Sequence, residues 1–143
     1  MRKVAFQFAV CGLAVVLASG CATLLGGGPN PKALIMEQLE VWKAGMEAQD
    51  MDQVMTVYSP DFSHYEMGGF EDLKSVLQGY MDNGDLDNTV VSLDEVEIEV
   101  AEDGKATAYP IPLTAVFGTA TIRLYFEEKD GVWLATSMDV EGV

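Results

Sequence analysis

Apolar residues recur at helical spacing in the first part of the chain and at every second position in the last part. In PKALIMEQLEVWKAGMEAQD, residues 31–50, Ile35, Leu39, Trp42 and Met46 fall at spacings of four, three and four, with Glu37, Glu40, Lys43 and Glu47 off the stripe. That pattern predicts an amphipathic helix packed on one face. Asn30 suits its N-cap and Pro31 its first turn. Asp50, with Gln53 three residues on, predicts a capping box and a second, short helix through Tyr58, which Pro60 brings to an end at Ser59. FSHYEMGG, residues 62–69, reads as a short strand or loop closed by two glycines. A third helix fits FEDLKSVLQGYM: Phe70, Leu73, Val76 or Leu77, and Tyr80 share a face, acids occupy the first turn, and Asn83-Gly84 suits the C-terminal end.

The period then changes from 3.6 to 2. Val96, Ile98 and Val100 alternate with Glu97 and Glu99, and an Asp-Gly turn follows at Asp103-Gly104. ATAYPIPLTAVF continues extended, and its prolines, Pro110 and Pro112, predict an edge strand or a bulge. Ile122, Leu124 and Phe126 alternate with Thr121, Arg123 and Tyr125, and KDG turns the chain into VWLATSMDV. Three helices followed by four hairpin-linked strands predict an α+β domain, a curved antiparallel sheet with helices on one face. In the last strand, alternation sets Val132, Leu134, Thr136 and Met138 against Trp133, Ala135, Ser137 and Asp139. If the aliphatic set packs on the helices, Trp133 and Asp139 face outward, unless a bulge reverses part of the strand.

The beginning of the chain follows another logic. Arg2 and Lys3 precede an apolar run from Val4 to Leu17 interrupted by Gln7 and Gly12, and Ala18-Ser19-Gly20 leads to Cys21. This is the charged, apolar and small-residue order of an export signal, and the run is short for a spanning helix of about 20 apolar residues. ASGC resembles the bacterial lipobox, with Leu17 one place earlier than usual. The resemblance implies cleavage before Cys21 and acylation of it, which anchors firmly once two chains are buried. A disulfide from Cys21 to Cys11 would lie inside the discarded segment, and a catalytic thiol lacks a basic neighbour. The expected organisation is a lipoprotein signal peptide over 1–20, a flexible tether with three glycines and two prolines over 21–31, and one domain over 32–143. Ala22 in place of Asp after the cysteine favours the outer membrane if the cell has one, again by resemblance to lipoproteins.

Charge narrows the partners. The chain holds 8 Lys and Arg against 23 Asp and Glu, a formal charge of −15, and loss of Arg2 and Lys3 makes it more negative still. Such a surface repels phosphate backbones and offers no basic stripe, which excludes nucleic acid, and it stands off anionic membrane apart from the anchor at Cys21.

The order of motifs carries a second likeness. An amphipathic helix with a tryptophan, the acidic turn AQDMDQV, VYSPDF, a glycine pair before a third helix, and the closing KDGVWLATSMDV together resemble the nuclear transport factor 2-like superfamily, in its SnoaL-like and calcium/calmodulin-kinase association-domain-like branches. The resemblance spans roughly residues 33–140. It implies a cone of long strands wrapped round three helices, an open cavity between them, and in many members a homodimer through the outer sheet face. The superfamily holds isomerases, dehydratases and members without chemistry, so the fold leaves function open.

The chemistry on offer is thin. His64 is the chain's one histidine and falls where the cavity wall is expected; paired with Asp61, Tyr65 or Tyr58 it would serve as the acid or base of an isomerase or dehydratase. The alternative is a structural histidine bonded to a neighbour. Asp139 and Arg123 lie on the expected outer face, where Arg123 reads as a surface or dimer charge. MDNGDLDN invites a calcium reading, but Gly84 is misplaced and the final glutamate ligand is missing; zinc lacks soft ligands. No cofactor or metal is expected. Trp42, Tyr58, Phe62, Phe70, Tyr80, Tyr109 and Phe117 line or fill the space between helices and sheet. Trp42, Tyr58, Phe62, Tyr80 and Tyr109 are the candidates for a cavity wall holding a small hydrophobic ligand. The expected function is therefore a lipid-anchored envelope domain, non-catalytic, that binds a small ligand or an envelope protein.

Overall fold

A computed structural model describes residues 28–143. The signal, Cys11, Cys21 and most of the tether lie outside the described residues.

Helix α1 spans Pro31–Ala48, with the Asn30 side chain accepting from the Lys32 N–H at 3.1 Å. Its stripe is the one the spacing predicts: Ile35, Leu39, Trp42 and Met46 are buried. Gln49 closes the helix in the left-handed region and returns its N–H to α1 carbonyls, and Asp50 caps α2, Met51–Met55, accepting from Gln53 N–H at 3.0 Å. The two helices meet at Gly45, where a Cβ would stand 2.8 Å from Val54 Cγ2 and 3.0 Å from its backbone nitrogen. A side chain there would force them apart. Helix α2 stops before Tyr58, short of the expected end. From Val57 the backbone extends along the last strand instead, its carbonyl accepting from Ala135 N–H and Ser59 N–H donating to Ala135 O, both at 2.8 Å. That pairing covers what would otherwise be an open sheet edge.

The segment 62–69 forms a small hairpin of β1, Ser63–His64, and β2, Gly68–Gly69. Gly68 sits at φ 83°, and Asp72 reaches back to accept from Gly69 N–H at 3.0 Å. The hairpin leads directly into α3, Phe70–Asp82.

The large sheet comprises β3 (Val90–Val91), β4 (Glu97–Val100), β5 (Lys105–Ala115), β6 (Gly118–Lys129) and β7 (Val132–Glu141), all antiparallel. Strands β3 and β4 both pair with β5, which is bonded to β6 and β6 to β7. The proline-bearing strand is therefore central and not an edge, as one of the two expectations had it; the other, a bulge, is present between Ala108 and Ile111, where the Tyr109–Pro110 peptide is cis. The physical reason is local. Strand β4 pairs with Ala106–Tyr109 and β3 with Leu113–Thr114, so the prolines sit where one partner strand hands over to the other and no ladder donor is required. The two-residue β3 carries too little pattern to be seen in the sequence.

A second register shift lies on β7. Phe126 faces Ala135 while Tyr125 faces Ser137, leaving Thr136 as the extra residue. The bulge turns Trp133 and Ala135 inward, against simple alternation, and both are buried. Met138 is buried on the same side, and Asp139 stays outward. The core is one cluster between the inner sheet face and the helices. Among the described residues no helix is long and apolar enough to cross a membrane.

Candidate functional site

Helix α3 meets α2 and the small hairpin more than the large sheet. Leu73 and Met81 reach the core, but Val76 and Leu77 are half-buried and Tyr80 is exposed. The gap they overlook is a cavity of about 750 Å³. Its sheet side is Leu113, Ala120, Ile122 and Met138, its helix side Val76, Leu77 and Tyr80, and its hairpin side His64 and Met67. Three exposed aromatic side chains, Tyr65, Tyr80 and Phe117, also line it.

Behind Met138, which lines the cavity, the packed core supplies a floor in the form of a hydrogen-bonded chain. Trp42 Nε1–H donates to the Tyr58 hydroxyl at 3.0 Å, which donates to Met138 Sδ at 3.8 Å, and Phe62 packs edge-on against Tyr58 at 5.2 Å. Burial pushes the Tyr58 phenol well above its ordinary range, with the Trp42 donor opposing the rise.

His64 is 7% exposed and borders the cavity. Its Nδ1 accepts from the backbone N–H groups of Glu66 and Met67, each at 3.1 Å, and Tyr65 stacks on the ring at 4.6 Å. Two donors aimed at Nδ1 fix the tautomer: the lone pair is there and the proton is on Nε2. The histidine pins the hairpin turn through Nδ1, and Nε2 is the nitrogen left without a protein partner. None of its expected acid–base partners is bonded to it. Asp61 pairs with Lys129 at 3.7 Å, Tyr58 belongs to the floor, and Tyr65 is stacked, not hydrogen-bonded.

The other expected residues divide between cavity, core and outer face. Tyr80 lines the cavity. Trp42, Tyr58 and Phe62 are in the packed core below it, because α1 and the Val57–Ser59 segment press close to the sheet. Tyr109 is on the opposite face, under the Arg123 guanidinium at 4.0 Å. Arg123 also approaches Asp139 at 3.7 Å and Glu141 at 3.9 Å, and Tyr125 donates to Asp139 at 2.7 Å. That bond to a carboxylate holds the Tyr125 phenol above its ordinary value. The segment Met138–Glu141 runs past the mouth, but the Asp139 carboxylate is engaged outside. Cys21 lies outside the described residues, and among those described no group of three or more His, Cys, Asp or Glu gathers as metal ligands do.

Sequence reasoning missed Met67, Leu113 and Met138 as wall residues. The signal available was the third helix, whose apolar face offers both Val76 and Leu77 with a glycine, Gly79, before Tyr80.

No protein-family model matches the chain, and no curated protein does. Solved structures do. An NTF2-like protein of unknown function from Pseudomonas putida KT2440 matches with a TM-score of 0.64 at 15% identity, over 81% of this chain and 90% of that one. A putative calcium/calmodulin-dependent protein kinase II association domain from Xanthomonas campestris matches at 0.55 and 17%, over 74% and 83%. A hexachlorocyclohexane dehydrochlorinase, LinA type 2, matches at 0.60 and 14%, over 76% and 82%. At these identities the likeness is one of fold, the α+β cone of helices on a wrapped antiparallel sheet.

Proposed function

We propose that this cone is a non-catalytic binding domain that takes a small apolar ligand into the cavity between α3 and the sheet, and that an acylated Cys21 holds it at the bacterial cell envelope. One observation carries the reading: an apolar cavity of about 750 Å³ whose histidine has spent its lone pair on the hairpin. The volume falls in the range of small-molecule sites, roughly 300–1,000 Å³. The buried Nε2–H supplies one directional contact to an acceptor on the ligand.

Thermal unfolding of the full-length chain in lipid nanodiscs, with and without a water-soluble neutral aromatic such as 1-naphthylmethanol, tests the cavity. A ligand that binds only the folded state raises the melting temperature. The rise should vanish in Leu77→Trp, which fills the space from its wall. An equal rise in both chains would sink the proposal. For the anchor, Cys21→Ser should move the protein from the membrane to the soluble fraction, and unchanged fractionation refutes acylation.

A catalytic reading, with His64 as acid or base of an isomerase or dehydratase, draws on its place in the wall. Turnover of small carbonyl or alcohol substrates by the parent chain, lost in a folded His64→Ala variant, would replace the binding proposal.

A further inference from the structure

The cavity proposed above as a binding site has a one-sided electrostatic character, and it selects a class of ligand. The charged residues bordering it are Glu66, Asp85, Asp139 and Glu141, and no Lys or Arg among the described residues lines it. Five of the six described Lys and Arg residues are paired elsewhere, and the sixth, Lys32, borders the groove at the start of α1. Lys43, Lys74, Lys105 and Lys129 pair with Glu47, Asp52, Glu127 and Asp61. Arg123 serves Asp139 and Glu141 from the outer face of the sheet. Glu66 and Asp85 have no cationic partner among the described residues.

A second observation is independent of those acids. No fully enclosed side-chain nitrogen or oxygen among the described residues lacks a hydrogen-bond partner. His64 is more than nine-tenths buried, and its Nε2 has no protein partner there. Nε2 therefore opens onto accessible space, and the space His64 borders is this cavity. It is a neutral donor, suited to an oxygen acceptor and insufficient to balance a buried carboxylate or phosphate.

We infer that the ligand is a cationic amphiphile: an apolar body seated on Leu113, Ile122 and Leu77, with an ammonium-type nitrogen at the mouth beside Glu66 and Asp85. Tyr80 and Phe117, exposed aromatic residues that line the cavity, can attract the same positive charge. Anionic amphiphiles of equal apolar size meet unpaired carboxylates and are turned away.

Three probes sharing one ring system test this: 1-naphthylmethylammonium, 1-naphthylmethanol and 1-naphthoate. Each is titrated against the full-length chain in nanodiscs of zwitterionic lipid, with Leu77→Trp as the control for partition into lipid. The ammonium should bind roughly tenfold tighter than the naphthoate, as expected for carboxylates near a surface at a few ångströms, and its advantage should shrink as salt shortens the screening length. Glu66→Gln combined with Asp85→Asn should bring the ammonium's affinity down to that of the alcohol. Equal binding of all three probes, weakened alike by Leu77→Trp, leaves the cavity as a ligand site and overturns the cationic assignment. Tightest binding by naphthoate overturns it as well. If no probe shifts the melting temperature, the cavity reading falls and the assignment falls with it.

Discussion

The space between helices and sheet is closed under the middle of α1 and open under α3; at the first turn of α1 there is only a groove against Val96–Glu99. Under α1, the helix brings Ile35, Leu39 and Trp42 against the sheet, all at most 2% exposed, while the inner sheet face answers with Phe126 and Trp133 beside the small residues Ala106, Ala108 and Ala135. Under α3, the matching positions are Val76, Leu77 and Tyr80, and none of them is fully covered. The sheet is continuous beneath both. The cavity is thus not a defect of the sheet but a consequence of which helix carries side chains long enough, and close enough, to fill the gap. Stability should reside in the closed half and binding in the open half, so substitutions in the two halves should separate cleanly.

The largest effect expected is from Trp42→Ala. It empties a fully buried indole site and leaves the Tyr58 hydroxyl without its donor. A loss of about 3–5 kcal/mol is the usual scale for a large buried aromatic, read from urea unfolding of the variant and the parent. Leu77→Ala, beside space that is already empty, should cost well under half as much. Comparable losses from the two would dissolve the contrast between the halves.

Tyr58→Phe is the next in size. It keeps the ring and removes the acceptor of a buried indole N–H, for a cost of about 1–3 kcal/mol. The same hydroxyl gives a pH signature. The folded chain holds the Tyr58 phenol above its unfolded value, so above a pH of about 10 the unfolded chain releases a proton that the folded chain keeps. Stability should therefore fall as pH rises there, by about 1.4 kcal/mol per pH unit for a single such group, and be unaffected by this group below that range. In Tyr58→Phe the alkaline slope should be shallower by one proton. An unchanged slope would mean that the floor of the cavity is wet and that the closed half is less closed than its packing indicates.

The same contrast explains what could be read from the sequence. The stripe Ile35, Leu39, Trp42, Met46 and the alternation Ile122, Leu124, Phe126 are periodic because each faces a filled interior, and so both elements and their inner faces were legible. Simple alternation puts Trp133 on the outer face, and of the two readings it is the bulge that is present, shifting the period by one residue within β7; alternation alone cannot choose between them, because the insertion leaves no composition mark. Strand β5 was legible as extended but not as central, since the tolerance of Pro110 and Pro112 depends on where β4 ends and β3 begins along its edge. The aromatic residues were visible as a set, but their division into Tyr80 at the cavity, Trp42, Tyr58 and Phe62 in the core and Tyr109 outside follows from how far each helix stands off the sheet. His64 was visible as a candidate, whereas the two backbone donors that occupy Nδ1 exist only once the hairpin has closed.

The smallest effect concerns the outer face and tests whether it is a surface at all. Arg123 lies over Tyr109 and between the carboxylates of Asp139 and Glu141, with side-chain exposures of 30%, 41% and 52% for Arg123, Asp139 and Glu141. Pairs this accessible contribute little, and Arg123→Gln should leave the unfolding midpoint nearly unchanged at any protein concentration. The variant should also move Tyr125 in a definite direction. Asp139 holds that phenol up and Arg123 draws it down, so removing the cation should shift its ultraviolet titration to higher pH. If a second copy of the chain covered this face, Arg123 and its partners would be stripped of solvent. The cost would then be plainly measurable at high protein concentration, as for breaking a desolvated charge pair, and would shrink on dilution as the dimer dissociates and Arg123 returns to water. The concentration dependence of this one variant therefore distinguishes an outer face that ends in water from one that ends in another cone.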